Sequence, residues 1–254
     1  MEQVMVQLNN EHVACSISGK GTPVLCIHAP CIGSINYCYQ YALSDSYQLI
    51  VPDLPGHGDS SSFGRRFSID DLAEYLNQIM QKLNLAEAYI MGYSQGASIA
   101  LEYSLRFPEK VKGVILVSAF SEVKDFYLHA RFYMAQTMSW LHGVPLLARS
   151  IASSHLSDPD MQAKWVAHAS RTDAGCLTSL YTAGHRYSCT KRLNELDKPV
   201  LLVYGKEDTQ MQPYAQLLQK QLPMASFVMV PHAHHQVVTR AAPVFNQLCR
   251  DFMH

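Results

Sequence analysis

Ser94 lies in Gly92-Tyr93-Ser94-Gln95-Gly96, a G-x-S-x-G pentapeptide. Before it comes Ala88-Tyr89-Ile90-Met91, an apolar run that reads as a strand, and after it Ala97-Ser98-Ile99-Ala100-Leu101, which reads as the start of a helix. Strand–turn–helix is the setting that makes such a serine a nucleophile. The sharp turn pushes Oγ out of the sheet, and the two glycines leave room where any Cβ would meet neighbouring backbone. The helix aims its positive N-terminal end at whatever binds the serine. A hydroxyl attacks only when a neutral imidazole takes its proton and a carboxylate holds that imidazole in the right tautomer. The pentapeptide therefore calls for a base and an acid elsewhere in the chain. Two later loops carry them: Gly205-Lys206-Glu207-Asp208, and Val230-Pro231-His232-Ala233-His234-His235.

Alternating apolar strands and amphipathic helices supply the elements that must bring these loops together. Val4 to Leu8 and Glu11 to Ser18, joined at Asn9-Asn10, read as a hairpin. Pro23 to His28 and Tyr47 to Val51 are continuous apolar runs, as in strands covered on both faces. Ser68-Ile69-Asp70-Asp71 resembles a capped helix start, followed by Leu72, Tyr75, Leu76, Ile79 and Leu83 at helical spacing. A helix after Ser94 runs to about Phe107 and stops at Pro108. Val111 to Ser118, Pro199 to Tyr204 and Ser226 to Val230 read as strands, Tyr214 to Leu222 and the stretch from about Pro243 as helices. The pattern predicts an α/β fold with a mostly parallel sheet and helices on both faces. In such a sheet the loops after the strands gather at one end, where ligands bind. From about Ser121 to Arg192 strand runs give way to a stretch rich in Met, Tyr, Phe and Trp, broken near Gly143-Val144-Pro145, Asp158-Pro159 and Gly184. It reads as a helical insertion.

A chain of 254 residues can bury a substantial core as one domain with an inserted subdomain. A net charge of −1 excludes an electrostatic footprint for nucleic acid or an anionic membrane. The seven cysteines form no C-x-x-C pair and read as reduced thiols of a cytoplasmic protein. Met1-Glu2-Gln3-Val4 does not read as a signal peptide, and no apolar run approaches the roughly 18 residues of a membrane span.

With the pentapeptide, the loop Asp53-Leu54-Pro55-Gly56-His57-Gly58-Asp59-Ser60, the acid loop at Asp208 and the histidine loop at His235 resemble the α/β-hydrolase family, in its Ser…Asp…His order. The resemblance implies a mostly parallel eight-stranded sheet, with residues 1–120 and 191–254 as the core and 121–190 as an inserted helical cap. It makes Ser94 the nucleophile, Asp208 the orienting acid and His235 the base. Glu207, Glu122 and Asp125 compete for the acid, and His234 and His232 for the base. The three histidines lack an accompanying carboxylate or cysteine cluster, so no metal is expected. His57 is expected to be structural and His28 to brace the oxyanion loop.

One position departs from the family pattern. Its His-Gly-x-Gly is here His28-Ala29-Pro30-Cys31, and Pro30 falls where a backbone N–H usually meets the oxyanion. The Gln95 N–H remains as one donor, and Cys31, or a side chain, would have to supply the other. Losing one donor typically costs about 10²–10³ in turnover. The crowded aromatics and methionines of the insertion, Phe126, Tyr127, Phe132, Tyr133, Met134, Met138 and Trp140, suggest an apolar pocket, with Met134, Met138 and Trp140 as candidate walls. Arg131, Arg171 and His185 could recognise a carboxylate. The resemblance implies a serine hydrolase that cleaves a small, largely apolar carboxylic ester or thioester, with water and no cofactor. The alternatives are a hydrolase-fold receptor or signalling protein with little turnover, a carbon–carbon bond hydrolase, and an acyltransferase.

Overall fold

The computed structural model describes residues 2–8 and 11–254. Its strands are β1 (Glu2–Leu8), β2 (Glu11–Ser18), β3 (Thr22–Ile27), β4 (Tyr47–Pro52), β5 (Ala88–Tyr93), β6 (Val111–Val117), β7 (Val200–Gly205) and β8 (Ala225–Val230). They form one eight-stranded sheet in the order β1-β2-β4-β3-β5-β6-β7-β8. Only β2 runs against its neighbours β1 and β4, and every other pairing is parallel. The β1–β2 register pairs Leu8 with Glu11, and the predicted Asn9-Asn10 turn between them lies outside the described residues. Val24, Leu25, Cys26 and Ile27 are all wholly buried, the reason β3 reads as an unbroken apolar run.

The helices follow from equally local causes. In α1 (Ile69–Lys82) the Ser68 hydroxyl accepts from the Asp71 N–H while the Asp71 carboxylate accepts from the Ser68 N–H, a complete capping box. α2 (Gln95–Arg106) ends before Pro108. Between β6 and β7 the chain makes α3 (Phe126–Trp140), α4 (Val144–His155), α5 (Pro159–Ala169) and α6 (Ala174–Arg186). Asp125, Asp158 and Asp173 cap α3, α5 and α6 through their side chains. The sequence breaks at Gly143-Val144-Pro145 and Asp158-Pro159 are thus helix starts. Gly184 is no break: it lies inside α6, where a Cβ would collide with the Gln95 side chain. α7 (Gln212–Gln221), the short α8 (Val237–Arg240) and α9 (Ala242–Met253, with Pro243 in its first turn) complete the chain.

Buried residues pack on both faces of the sheet, one cluster under α1, α2 and α6 and the other under α8 and α9. All seven cysteines are unpaired; six are buried and Cys38 is half-buried. Among the described residues no helix is long and apolar enough to cross a membrane.

Candidate active site

β5 lies at the middle of the sheet, between β3 and β6, and Ser94 follows it directly. Its backbone sits at φ 54° and ψ −124°, a conformation that costs an L-residue energy and is held by the packing around it. The Ser94 N–H donates to the Val117 carbonyl at 2.9 Å. A Cβ on Gly92 would stand 2.6 Å from the Ala97 Cα, and one on Gly96 would collide with the Ile27 carbonyl oxygen. The turn can close because both positions are glycine. Asp208 and His235 come from the loops after β7 and β8. These loops are tied together by the Lys206 N–H to the Val230 carbonyl and the Glu207 N–H to the Ala233 carbonyl, each 2.9 Å.

The three side chains form one hydrogen-bonded chain. His235 Nδ1 lies 2.8 Å from Asp208 Oδ2, and His235 Nε2 lies 3.0 Å from Ser94 Oγ. An ionised carboxylate can only accept, so Nδ1 carries the proton and Nε2 is left to receive the serine hydroxyl. The Ser118 hydroxyl donates to the His235 carbonyl at 3.0 Å, fixing the backbone behind the ring. Tyr93 packs against the ring, its centroid 5.5 Å away, and its hydroxyl bonds His155 Nε2 at 2.9 Å. Burial pulls His155 down to about 4, so its imidazole is neutral and accepts from Tyr93. The competing groups are elsewhere: Glu207, His232 and His234 are exposed, Glu122 accepts from Ser188, and Asp125 caps α3 and accepts from the Tyr214 hydroxyl.

Beside Ser94, the Gln95 N–H occupies the first position of α2, one of the amides a helix leaves without an internal acceptor. The opposite loop differs from expectation. The Cys31 N–H is directed not toward Ser94 but to His57 Nε2 at 3.1 Å, so Cys31 does not replace Pro30 as a donor. The Ala29 N–H goes to Asn36 Oδ1 at 3.1 Å. His57 accepts because burial, and then the neighbouring His28, hold it neutral at about 3, with Nδ1–H given to the Pro55 carbonyl. His28, at about 4 through burial, donates to the Ala29 carbonyl and accepts from the Leu54 N–H. Buried Asp53 accepts from the Ser34 N–H at 2.6 Å and from His168 of α5 at 3.2 Å. Burial alone would raise this carboxyl, but the hydrogen bond and charge of His168 hold it at about 2.

Ser94, Gln95, Pro30 and His235 line a cavity of about 220 Å³, closed on the other side by residues of α3, α4 and α6 that include Arg131, Met134 and Tyr181. Among the described residues no group of three or more His, Cys, Asp or Glu could hold a metal ion.

The family profile described as alpha/beta hydrolase fold matches residues 22–239. The chain belongs to the α/β-hydrolase family. A Bacillus subtilis protein provisionally named 2-succinyl-6-hydroxy-2,4-cyclohexadiene-1-carboxylate synthase is 25% identical over 252 residues, which cover 91% of this chain and 89% of that protein. Among solved structures, a bromoperoxidase from Bacillus anthracis superposes with a TM-score of 0.89 at 17% identity, covering 99% of both chains. An esterase from Exiguobacterium antarcticum superposes with a TM-score of 0.88, also at 17% identity and 99% of both chains. At that identity the two structures speak for the fold.

In this α/β-hydrolase the expected pocket walls divide. Met134 lines the cavity near Ser94. Met138 is one turn further along α3, past the end of the cavity, where its side chain packs on Gly143. Trp140 projects from the opposite face of α3, 70% exposed, and borders a separate cavity of about 440 Å³ with Arg65, Arg66 and the start of α6. Met138 and Trp140 are therefore not walls of this site. Arg131 lines the cavity, whereas Arg171 pairs with Asp59 at 2.5 Å and His185 bonds His129 at 2.7 Å outside it. Tyr93, His155 and Tyr181 went unforeseen as lining residues. No sequence signal marks His155 and Tyr181, because their position depends on how α4 and α6 fold back over the sheet, whereas Tyr93 lies beside Ser94 in the motif itself.

Proposed function

We propose that the protein is a serine hydrolase that cleaves a small carboxylic ester or thioester through an acyl-enzyme on Ser94. The observation that carries this reading is the unbroken chain Asp208–His235–Ser94 at the wall of a cavity. Ser94 Oγ attacks the carbonyl carbon while its proton passes to His235 Nε2, and Asp208 stabilises the imidazolium. The negative oxygen forms beside the Gln95 N–H. Collapse expels the alcohol or thiol, which takes the proton from His235. Water, deprotonated by His235, then releases the acid and returns the proton to Ser94.

A cavity of about 220 Å³ is smaller than the roughly 300–1,000 Å³ of sites for drug-sized ligands, which supports a short acyl group. Arg131 has no carboxylate within ion-pair distance among the described residues; its Nη1 donates to the Tyr127 hydroxyl at 2.9 Å. A carboxylate on the substrate would suit it, and the Bacillus subtilis relative is itself named for a carboxylate product. A second reading, a hydrolase-fold ligand receptor or signalling protein with little turnover, is favoured by Pro30, since the amides on either side of it are given to Asn36 and His57.

Initial rates on p-nitrophenyl esters from acetate to decanoate, for the parent and Ser94→Ala, test the proposal. The expected result is turnover of short esters that falls by more than about 10³-fold in Ser94→Ala. A folded parent with no Ser94-dependent turnover of any ester and no covalent adduct with an organophosphonate would overturn it.

A further inference from the structure

Gln95 joins the nucleophile helix to the helical segment above it. Its side-chain Nε2 donates to the Leu180 carbonyl at 2.5 Å, and Gly184, one turn on, lies against the same side chain. The turn of α6 that begins at Leu180 is therefore fastened to the residue whose own N–H faces the reacting carbonyl. Tyr181 is the next residue. It is half-buried, lines the cavity together with Pro30, Ser94 and Gln95, and packs edge-on against Phe132, another lining residue, at 6.3 Å.

At Pro30 and its two neighbours the cavity lacks the backbone donor of the family pattern. Pro30 has no N–H, and the neighbouring amides of Ala29 and Cys31 are given to Asn36 and His57. Its other polar side chains are committed or lie to the outside. The Tyr93 hydroxyl is bonded to His155, the Gln95 amide is given to Leu180, and Asp208 is held by His235. Tyr127, Arg131 and Ser150 are exposed. The Tyr181 hydroxyl has no hydrogen-bond partner among the described residues, so its proton is available. Burial, and then the nearby Cys31 thiol, push this phenol well above its ordinary range, although Arg131 pulls the other way. It thus remains a neutral O–H donor, and its sensitivity to Cys31 and Arg131 is consistent with a position facing the Pro30 loop.

We infer that Tyr181 is a catalytic residue whose hydroxyl donates the second hydrogen bond to the oxyanion, opposite the Gln95 N–H, in the place that Pro30 vacates. The inference rests on the acyl-enzyme reading above. The hydroxyl keeps its proton throughout: it stabilises the negative oxygen of the tetrahedral intermediate, and no bond to Tyr181 forms or breaks. A helix of the inserted segment thereby completes a site that in the family pattern is completed by a core loop.

Tyr181→Phe removes the donor and keeps the ring. With p-nitrophenyl acetate, kcat is expected to fall by about 10²-fold, the loss typical of one oxyanion donor, with KM within about threefold of the parent. Binding of an alkyl trifluoromethyl ketone, whose adduct with Ser94 carries an oxyanion, is expected to weaken by a similar factor, while acetate binding stays the same. A merely structural role would move both ligands, or the melting temperature, together. Pro30→Gly in the Tyr181→Phe background restores an amide and is expected to regain at least about tenfold in kcat. If Tyr181→Phe turns over within about threefold of the parent while Ser94→Ala is inactive, the assignment of Tyr181 falls and the hydrolase reading stands. If the parent itself has no Ser94-dependent turnover, the hydrolase reading falls and takes this assignment with it.

Discussion

Arg131 brings a positive charge to the cavity near Ser94, and among the described residues it meets no carboxylate, only the hydroxyl and ring face of Tyr127. A charge-assisted hydrogen bond to a substrate carboxylate contributes on the order of 1.5–3 kcal/mol, or about 10- to 100-fold in affinity. Arg131→Gln should accordingly raise KM for the p-nitrophenyl hemiester of succinate by at least about tenfold and leave p-nitrophenyl butyrate nearly unchanged. Steady-state kinetics on the two esters check this, and equal effects on both would remove the charge from the explanation. At this scale the sequence was legible where chemistry is carried by short motifs. Ser94, Asp208 and His235 each sit in a loop whose neighbours identify it, and the structure brings the three together. Cys31 was not legible, because the destination of its N–H is set by His57, 26 residues away. A motif carries no record of which partner, folded in from elsewhere, has already claimed an amide.

Among the elements, the four helices between β6 and β7 are held to the sheet by a few polar ties. Gln95 reaches Leu180 of α6, Asp53 accepts from His168 of α5, and Tyr93 donates to His155 of α4. α3 contributes Arg131 and Met134 to the cavity but shares none of these ties. Gln95→Ala removes the α6 tie and leaves a gap against Gly184, so the melting temperature should drop and the amides of α6 should exchange faster than those of α5. Hydrogen-exchange mass spectrometry reads the difference; uniform protection across both helices would show that Gln95 does not fasten α6. The start of each helix was legible wherever Asp or Pro punctuates the chain, at Asp158-Pro159 for instance. The face that α3 turns inward was not, because apolar side chains occupy both of its sides: Phe132 is buried at 6% exposure, and Tyr133 beside it is 62% exposed. When a helix is apolar all round, its period does not say which residues will wall a pocket.

For the molecule as a whole, the alternation of apolar runs and amphipathic helices foretold a parallel α/β sheet. The order β1-β2-β4-β3-β5-β6-β7-β8 instead comes from how the helices cross over it. Three buried histidines then set how stability responds to acid. His28 and His155 are held neutral at about 4, and His57 at about 3, against about 6.5 in an unfolded chain. Below pH 6.5 the unfolded chain binds protons that the native protein refuses, so stability is complete above that pH and is lost progressively down to about pH 4. His28 and His155 each account for on the order of 3 kcal/mol of this loss. Melting temperatures measured from pH 7 to pH 4.5 should fall steadily, and His155→Gln should flatten the slope. A slope the same in both proteins would mean that His155 is protonated in the native state. The cysteines carry a consequence of another kind. The folded protein offers solvent one half-buried thiol out of seven. A thiol reagent in native buffer therefore meets Cys38 first and every other sulfur only as its surroundings open. Cys26 and Cys249 keep time for the packing beneath α9, Cys176 and Cys189 for the α6 side of the sheet. The chain thus carries its own set of clocks for local opening, spread over both faces and readable by mass as each label arrives.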